Sequence, residues 1–186
     1  MDNAGAAIPP SGSCTVTVDV VAALPGTYPN SIPVNALQTV AGANAASADA
    51  TLAVTPIPPV IFKSFSPATI AVNQPSTLTI TLGNANPTVA TLSAALSDAF
   101  PTGLVVAATP NASTTCGGAL TAVAGSDSIS MDAAGAAIPA GGSCTIQADV
   151  ESATSNSYAN DIPAGALQTS DGANNAPADA SLDVTP

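Results

Sequence analysis

The three cysteines are the residues of this sequence whose chemistry is easiest to name. Cys116 and Cys144 each lie beside a Gly- or Ser-rich turn at an expected strand end. We expect a disulfide between them. By restricting the unfolded chain, it would stabilise the fold by roughly 3–4 kcal/mol on the chain-entropy estimate. A metal site is disfavoured because the chain has no CxxC and no His, and a catalytic thiol would lack a base. A disulfide indicates an oxidising compartment.

Lys63 is the only cation, since the chain has no Arg or His. It could form an amide bond to an Asn or Asp, as lysines do in some pilus and adhesin domains. That reaction needs the amine, the carbonyl partner and a catalytic acid together in a buried apolar site, and the sequence reveals only the lysine. An ordinary strand lysine that reaches solvent with its ammonium group is therefore the favoured interpretation.

Acidic residues offer oxygen ligands for calcium, but none forms a DxDxDG-like loop. A solvated acidic surface is the favoured interpretation of Asp127, Asp132, Asp171, Asp179 and Asp183. Without His or Arg, no serine has an evident base, and no carboxylate pair can be identified for glycosidic chemistry. We expect no enzyme activity, no catalytic residue, no metal site and no cofactor.

An internal repeat organises the chain. Residues 1–56 align with residues 131–186 without a gap at an offset of 130, and more than half of the aligned positions are identical. A period of this length indicates whole domains in tandem. Residues 57–186 are expected to form one complete unit, joined at 56–59 by a stiff Pro-rich segment to residues 1–56, the C-terminal part of another unit.

This register assigns further residues. Met1 aligns with Met131, an interior position of the unit, and Cys14 aligns with Cys144, so we expect Cys14 to pair with a residue upstream of the chain shown. Upstream sequence or another molecule would complete the first unit. Tyr28 and Tyr158 are also equivalent, and we expect each to anchor a sandwich corner.

Composition excludes several classes of partner. The net charge is −11 with a single lysine, so the chain has no basic patch for nucleic acid. No apolar run approaches the roughly 18 residues of a membrane span. A unit of 130 residues can bury its own core, which must consist mainly of aliphatic residues because aromatic residues make up 3% of the chain.

Alternating apolar and polar residues predict strands. The clearest are 76–82, 144–150, 180–185, 14–20 and 50–55, and shorter candidates are 60–65, 69–72, 90–96, 103–108 and 128–131. Pro, Gly, Asn and Asp fill nearly all the breaks. About eight strands at short spacing, with little helix, predict an all-β chain of immunoglobulin-like antiparallel β-sandwich repeats in tandem.

Four segments resemble a known family: FKSFSPATIAVNQPSTLTITLGNANP (62–87), AFPTGLVV (99–106), TTCGG (114–118) and IPAGGSCTIQADV (138–150). They are similar to bacterial surface repeats of the conserved domain-of-unknown-function eleven type and its close relatives. The resemblance covers 57–186 and the partial unit from Ile8 onward. It implies Ig-like sandwiches in long, exported surface or extracellular proteins; it does not imply an enzyme, and it assigns no catalytic residues.

These observations favour a structural role. We expect a secreted or cell-surface bacterial repeat protein that forms an extracellular fibre, stalk or filament, with adjacent repeats or copies of itself as partners. An adhesin or carbohydrate-binding module is the alternative, although the chain offers few aromatic side chains for stacking on sugars.

Overall fold

The computed structural model describes residues 7–186, and every regular element in this range is a β-strand. The expected repeat position of Met1 lies outside the described residues. Within the described range there is no helix with the length and apolar character needed to cross a bilayer. The prediction of an all-β fold is confirmed.

The N-terminal part of the described chain forms a long hairpin with a short one inside it. Its strands β1 to β4 are Gly26–Ile32, Gln38–Thr39, Gly42–Ala43 and Ala48–Val54. Strands β1 and β4 pair antiparallel from Gly26 opposite Val54 to Ile32 opposite Ala48, and β2 pairs with β3. Nearly all of these residues are exposed, and the buried apolar core begins only at Ile61.

The predicted strand at 14–20 is wrong for this structure. Residues 14–20 form no strand and are exposed, including Val16, Val18 and Val20. The equivalent segment at 144–150 is a strand because its backbone bonds to neighbouring strands on both sides. No described strand pairs with residues 14–20, so their alternating pattern has no sheet to join.

The rest of the chain forms the sandwich. Strands β5 to β19 are Val60–Ser66, Thr69–Ala71, Ser76–Gly83, Ala90–Thr91, Leu96–Ala99, Val105–Val106, Ser113–Thr114, Leu120–Thr121, Ser128–Met131, Ala137–Ile138, Ser143–Glu151, Asn156–Ile162, Gln168–Thr169, Gly172–Ala173 and Ala178–Thr185. The predicted 90–96 segment is divided between β8 and β9, whereas 76–82 lies inside β7 and 144–150 lies inside β15.

One layer is a five-stranded antiparallel sheet. Its order is β10-β15-β7-β5, and β11 also pairs with β15. The other layer is assembled from smaller ladders, β16-β19-β6, β12-β13-β9 and β14-β8. Strand β6 runs parallel to β19, and the other paired strands are antiparallel.

The core lies between these layers. In β7, alternate residues from Ser76 to Leu82 are buried, and Leu78, Ile80 and Leu82 are almost inaccessible to solvent. Ile80 and Ile146 of the five-stranded sheet face Ile129 and Met131 of the other layer across a narrow apolar gap. This arrangement is an immunoglobulin-like β-sandwich.

The end of the sandwich matches the N-terminal hairpin element by element. Strands β16 to β19 lie 130 residues after β1 to β4, and Asn156 opposite Val184 repeats the register of Gly26 opposite Val54. The Tyr28 hydroxyl donates to the Leu24 carbonyl at 2.7 Å, as the Tyr158 hydroxyl does to the Thr154 carbonyl at 3.0 Å. The predicted sandwich-corner role is confirmed for Tyr158 by this four-residue return, whereas Tyr28 makes the same return in an exposed hairpin and its sandwich-corner role stays a prediction.

Candidate functional site

Three polar side chains lie in the core where strand alternation would place apolar ones. They are Lys63 on β5, Asp98 on β9 and Asn160 on β16. Each is flanked two residues away on both sides by buried apolar side chains, which are Ile61 and Phe65, Leu96 and Phe100, and Tyr158 and Ile162. Because successive strand residues point to opposite faces, this spacing directs the polar groups inward.

One carboxylate holds the other two groups. The Lys63 Nζ donates to Asp98 Oδ1 at 2.7 Å, and the Asn160 Nδ2 donates to Asp98 Oδ2 at 3.2 Å. Lys63 belongs to the five-stranded sheet, whereas Asp98 and Asn160 belong to the opposite layer. The cluster therefore connects the two layers through polar bonds in the middle of the core.

Solvent does not reach this cluster. The side chain of Lys63 is 0% exposed and that of Asp98 is 1% exposed, while Asn160 is 2% exposed as a residue. The interpretation of Lys63 as a solvent-reaching lysine is therefore wrong. Its ammonium group points into the core, where the Asp98 carboxylate accepts its hydrogen bond. A buried charge needs such a partner.

One polar atom of the cluster lacks a partner. The buried Oδ1 of Asn160 accepts no hydrogen bond from any described residue. The gap beside Asp98 is otherwise apolar, lined by Ile80, Leu96, Leu120, Ile129, Met131 and Ile146. An unsatisfied amide oxygen in such surroundings is costly, which makes this position unusual for a purely structural asparagine.

Burial shifts the pKa values of Lys63 and Asp98 in the directions that favour their neutral forms. Desolvation lowers the pKa of Lys63, and the nearby carboxylates of Asp98, Asp161 and Asp179 oppose this only in part. Desolvation likewise raises the pKa of Asp98, against the opposing effect of Lys63 and the Asn160 amide. Proton transfer from the amine to the carboxylate is thereby made easier than in water.

The structure brings together the three kinds of group that amide formation requires. Sequence reasoning identified the amine of Lys63 but missed Asp98 and Asn160. The signal that could have revealed them is their position within short strands, between inward-facing apolar neighbours at i−2 and i+2.

The cysteines occupy a separate part of the core. Cys116 and Cys144 are bonded, with Cα atoms 5.0 Å apart, and both are buried. Cys144 is on β15, and Cys116 follows β11, which pairs with β15. Cys14 is exposed and unbonded within residues 7–186, so its expected upstream partner remains a prediction.

The acidic residues considered for calcium do not converge. Within residues 7–186, the structure contains no group of three His, Cys, Asp or Glu side chains arranged as metal ligands. Asp171 instead accepts a hydrogen bond from the buried Nδ2 of Asn86 at 3.0 Å. Asp171 therefore takes part in a hydrogen bond within the sandwich.

The chain resembles solved structures only distantly. A non-cellulosomal cohesin from the hyperthermophilic archaeon Archaeoglobus fulgidus is 9% identical, with a TM-score of 0.39, over 70% of this chain and 93% of that one. No curated protein matches the chain.

A family model matches nearly the whole sequence, in two segments. It covers residues 2–54 and residues 59–184, so the boundary between its segments falls at the Pro-rich joint. The resemblance to the domain-of-unknown-function eleven type stays a prediction. The chain belongs to the family described as domain of unknown function DUF7933.

Proposed function

We propose that this chain is a structural segment of a secreted or cell-surface bacterial protein, whose Ig-like units are joined end to end into an extracellular fibre, stalk or filament. Residues 57–186 are one complete unit and residues 1–56 are the C-terminal part of another. The equivalent strand registers of β1–β4 and β16–β19 support this division, as do the two matched family segments. The buried disulfide supports an oxidising location outside the cytoplasm.

The observation that carries the proposal is the anchoring of the joint between units. The Asn86 Oδ1 accepts a hydrogen bond from the Ile57 N–H at 2.8 Å, and the Asn86 Nδ2 donates to the Ile57 carbonyl at 2.8 Å. Asn86 is itself buried and is bonded to Asn84 and Asp171. The chain therefore enters the sandwich in a fixed direction, which suits units that transmit orientation along a fibre.

Prolines restrict the same joint. Pro56, Pro58 and Pro59 flank the anchored residue, and each fixes its own φ and favours an extended predecessor. A flexible tether between independent domains would need neither the prolines nor the buried amide. The joint thus combines covalent stiffness with a specific attachment to the body of the unit.

Electron microscopy of a chain of three successive 57–186 units tests the proposal. We expect beads at a regular spacing of a few nanometres with a narrow distribution of angles between neighbours. The same chain with Asn86→Ala in each unit should show a broader angular distribution. Beads of the unaltered chain that orient independently of one another would contradict the fibre function.

An adhesin or carbohydrate-binding module is the second candidate. One observation favours it: Phe62 is 63% exposed and lines a groove of about 450 Å³ with Pro58, Pro59 and Asn175. An exposed ring beside a polar amide could stack on a sugar face. A glycan array probed with the 186-residue chain and with Phe62→Ala decides this, because Phe62-dependent binding would favour the adhesin.

A further inference from the structure

We propose that Lys63 and Asn160 become joined by an intramolecular isopeptide bond between Nζ and the side-chain carbonyl carbon, with Asp98 as the catalytic proton carrier. The inference rests on geometry: both reacting side chains are bonded to the two oxygens of one buried carboxylate. It is independent of the fibre function, since the bond lies within one unit.

The chemistry balances without a cofactor or an oxidant. Lys63 gives a proton to Asp98, and the neutral amine attacks the Asn160 carbonyl carbon to form the new C–N bond. Asp98 delivers this proton to Nδ2 as the old C–N bond breaks, and its carboxylate then takes the proton released from the attacking nitrogen. The products are the Lys63–Asn160 amide and ammonia, which leaves as ammonium with the proton that the lysine originally carried.

The surroundings favour each step. The apolar gap and the burial of the cluster make the neutral amine accessible, because burial lowers the pKa of Lys63 and raises that of Asp98. Asp98 already contacts the leaving nitrogen of Asn160 at 3.2 Å, where a proton must arrive. The folded core holds all three groups together before reaction, which supplies the proximity that free side chains lack.

Asn160 is the better electrophile of the two candidates. Attack on Asp98 would consume the only base that is hydrogen-bonded to Lys63 among the described residues, and it would have to displace oxygen from a carboxylate. Asn160 instead presents a neutral amide whose oxygen has no described hydrogen-bond partner.

The bond would connect the beginning and the end of the unit. Lys63 lies on β5, the first strand of the sandwich, and Asn160 lies on β16, which pairs with the last strand β19. These strands belong to opposite layers. An isopeptide here would therefore link the two layers covalently, in addition to the disulfide in another part of the core.

The sequence provides a sharp test with trypsin. Lys63 is the only Lys or Arg in the chain, so trypsin has a single cleavage site. Trypsin does not cleave after a lysine whose amine is acylated. We expect the purified 186-residue chain, denatured, reduced and alkylated, to remain one band after digestion, with an intact mass lower than that of the sequence by one ammonia.

Matched variants establish the partners. Asn160→Ala and Asp98→Asn should be cut into fragments 1–63 and 64–186, whereas Asn30→Ala should stay uncut, because Asn30 is the exposed repeat equivalent of Asn160. Lys63→Arg checks the digestion, since Arg cannot form the amide and remains cleavable.

The unaltered chain decides the outcome even where a variant fails to fold. Sequencing of cross-linked peptides must place the loss of ammonia between Lys63 and Asn160. Complete cleavage of the unaltered chain, a loss of water at Lys63 and Asp98, or a loss of ammonia mapped to another asparagine would each overturn the proposal.

Discussion

The hydroxyl groups of Tyr158 and Ser152 lie 2.7 Å apart inside the core, and both reach the carbonyl of Thr154 at 3.0 Å. Tyr158 is buried, whereas its repeat equivalent Tyr28 is 39% exposed. The same corner motif therefore exists once in a sandwich and once beside solvent, which provides a matched pair for measuring its contribution.

We expect Tyr158→Phe to lower the free energy of unfolding by about 1–3 kcal/mol, since it leaves a buried serine hydroxyl without its tyrosine partner. Tyr28→Phe should change it by less than about 0.5 kcal/mol, because water replaces the lost bond. Urea unfolding of the two variants checks this. Equal effects would show that the buried corner contributes no more than the exposed one.

The Cys116–Cys144 disulfide should raise the free energy of unfolding by about 3–4 kcal/mol, because the loop that it closes restricts the unfolded chain. Urea unfolding with and without reductant measures the difference, and Cys116→Ala/Cys144→Ala should match the reduced protein. As a control, Cys14→Ala should leave the unfolding midpoint unchanged, because Cys14 is exposed and unbonded in the described chain. A midpoint insensitive to reductant would contradict the estimate.

Loss of the Asn86 side chain should release the joint. In Asn86→Ala the Ile57 N–H loses its acceptor, and Asp171 loses a buried donor. We expect faster hydrogen exchange at the Ile57 amide and a decrease of about 1–3 kcal/mol in the free energy of unfolding. Asn175→Ala is the control, since Asn175 is exposed on the neighbouring loop. Unchanged exchange at Ile57 would mean that the prolines alone hold this segment.

The sequence predicted the long strands well and the orientation of Lys63 poorly. Strands β7 and β15 alternate without ambiguity, because both occupy the middle of a sheet with one face on the core. Strand β5 is ambiguous: one face carries Ile61, Lys63 and Phe65, and the other carries Val60, Phe62 and Ser64. Which face of β5 turns toward the core is decided by tertiary partners such as Asp98, which lies 35 residues from Lys63 in the sequence.

The strand predicted at 14–20 was wrong for a different reason, since its pattern is clear but no described strand pairs with it. Its local pattern is as regular as that of 144–150, but a strand also needs neighbours to satisfy its backbone. Local periodicity indicates that a segment prefers to form a strand. It does not show whether a partner strand is present, because the partner consists of other residues. The buried Asp98 and Asn160 were missed for a related reason, since each looks like an ordinary polar residue until its opposite layer is known.

Removal of the lysine should make stability depend on pH through Asp98. Burial raises the pKa of Asp98 above its ordinary 3.8, and Lys63→Met removes the cation that opposes this, while Asp161 still adds to the rise. Between 3.8 and the raised pKa, the unfolded chain has released a proton that the folded chain keeps. The folded state is therefore favoured at low pH, and stability falls as pH rises through this window.

Urea midpoints of Lys63→Met and Lys63→Met/Asp98→Leu, measured from acidic to neutral pH, check this prediction. The remaining carboxylates, including Asp161 and Asp179, are common to both variants and cancel in the comparison. The difference in stability between the variants should grow with pH and then level off above the raised pKa. Parallel curves would mean that Asp98 stays ionised without Lys63.

Pulling on the two ends of the chain should reveal which residues carry force. With a Lys63–Asn160 bond, tension passes from β5 directly to β16, and residues 64–159 stay outside the path. The disulfide lies entirely within this protected range. Single-molecule extension should therefore exclude residues 64–159, each of which would otherwise add about 3.3–3.6 Å at full extension.

Reductant distinguishes the two covalent links in the same experiment. Reduction should leave the extension of the unaltered chain unchanged, because the disulfide loop carries no tension behind the isopeptide bond. In Asn160→Ala the force path runs through residues 64–159, so reduction should lengthen the fully extended chain by the loop between Cys116 and Cys144. A reductant-dependent lengthening of the unaltered chain would show that Lys63 and Asn160 are not covalently joined under load.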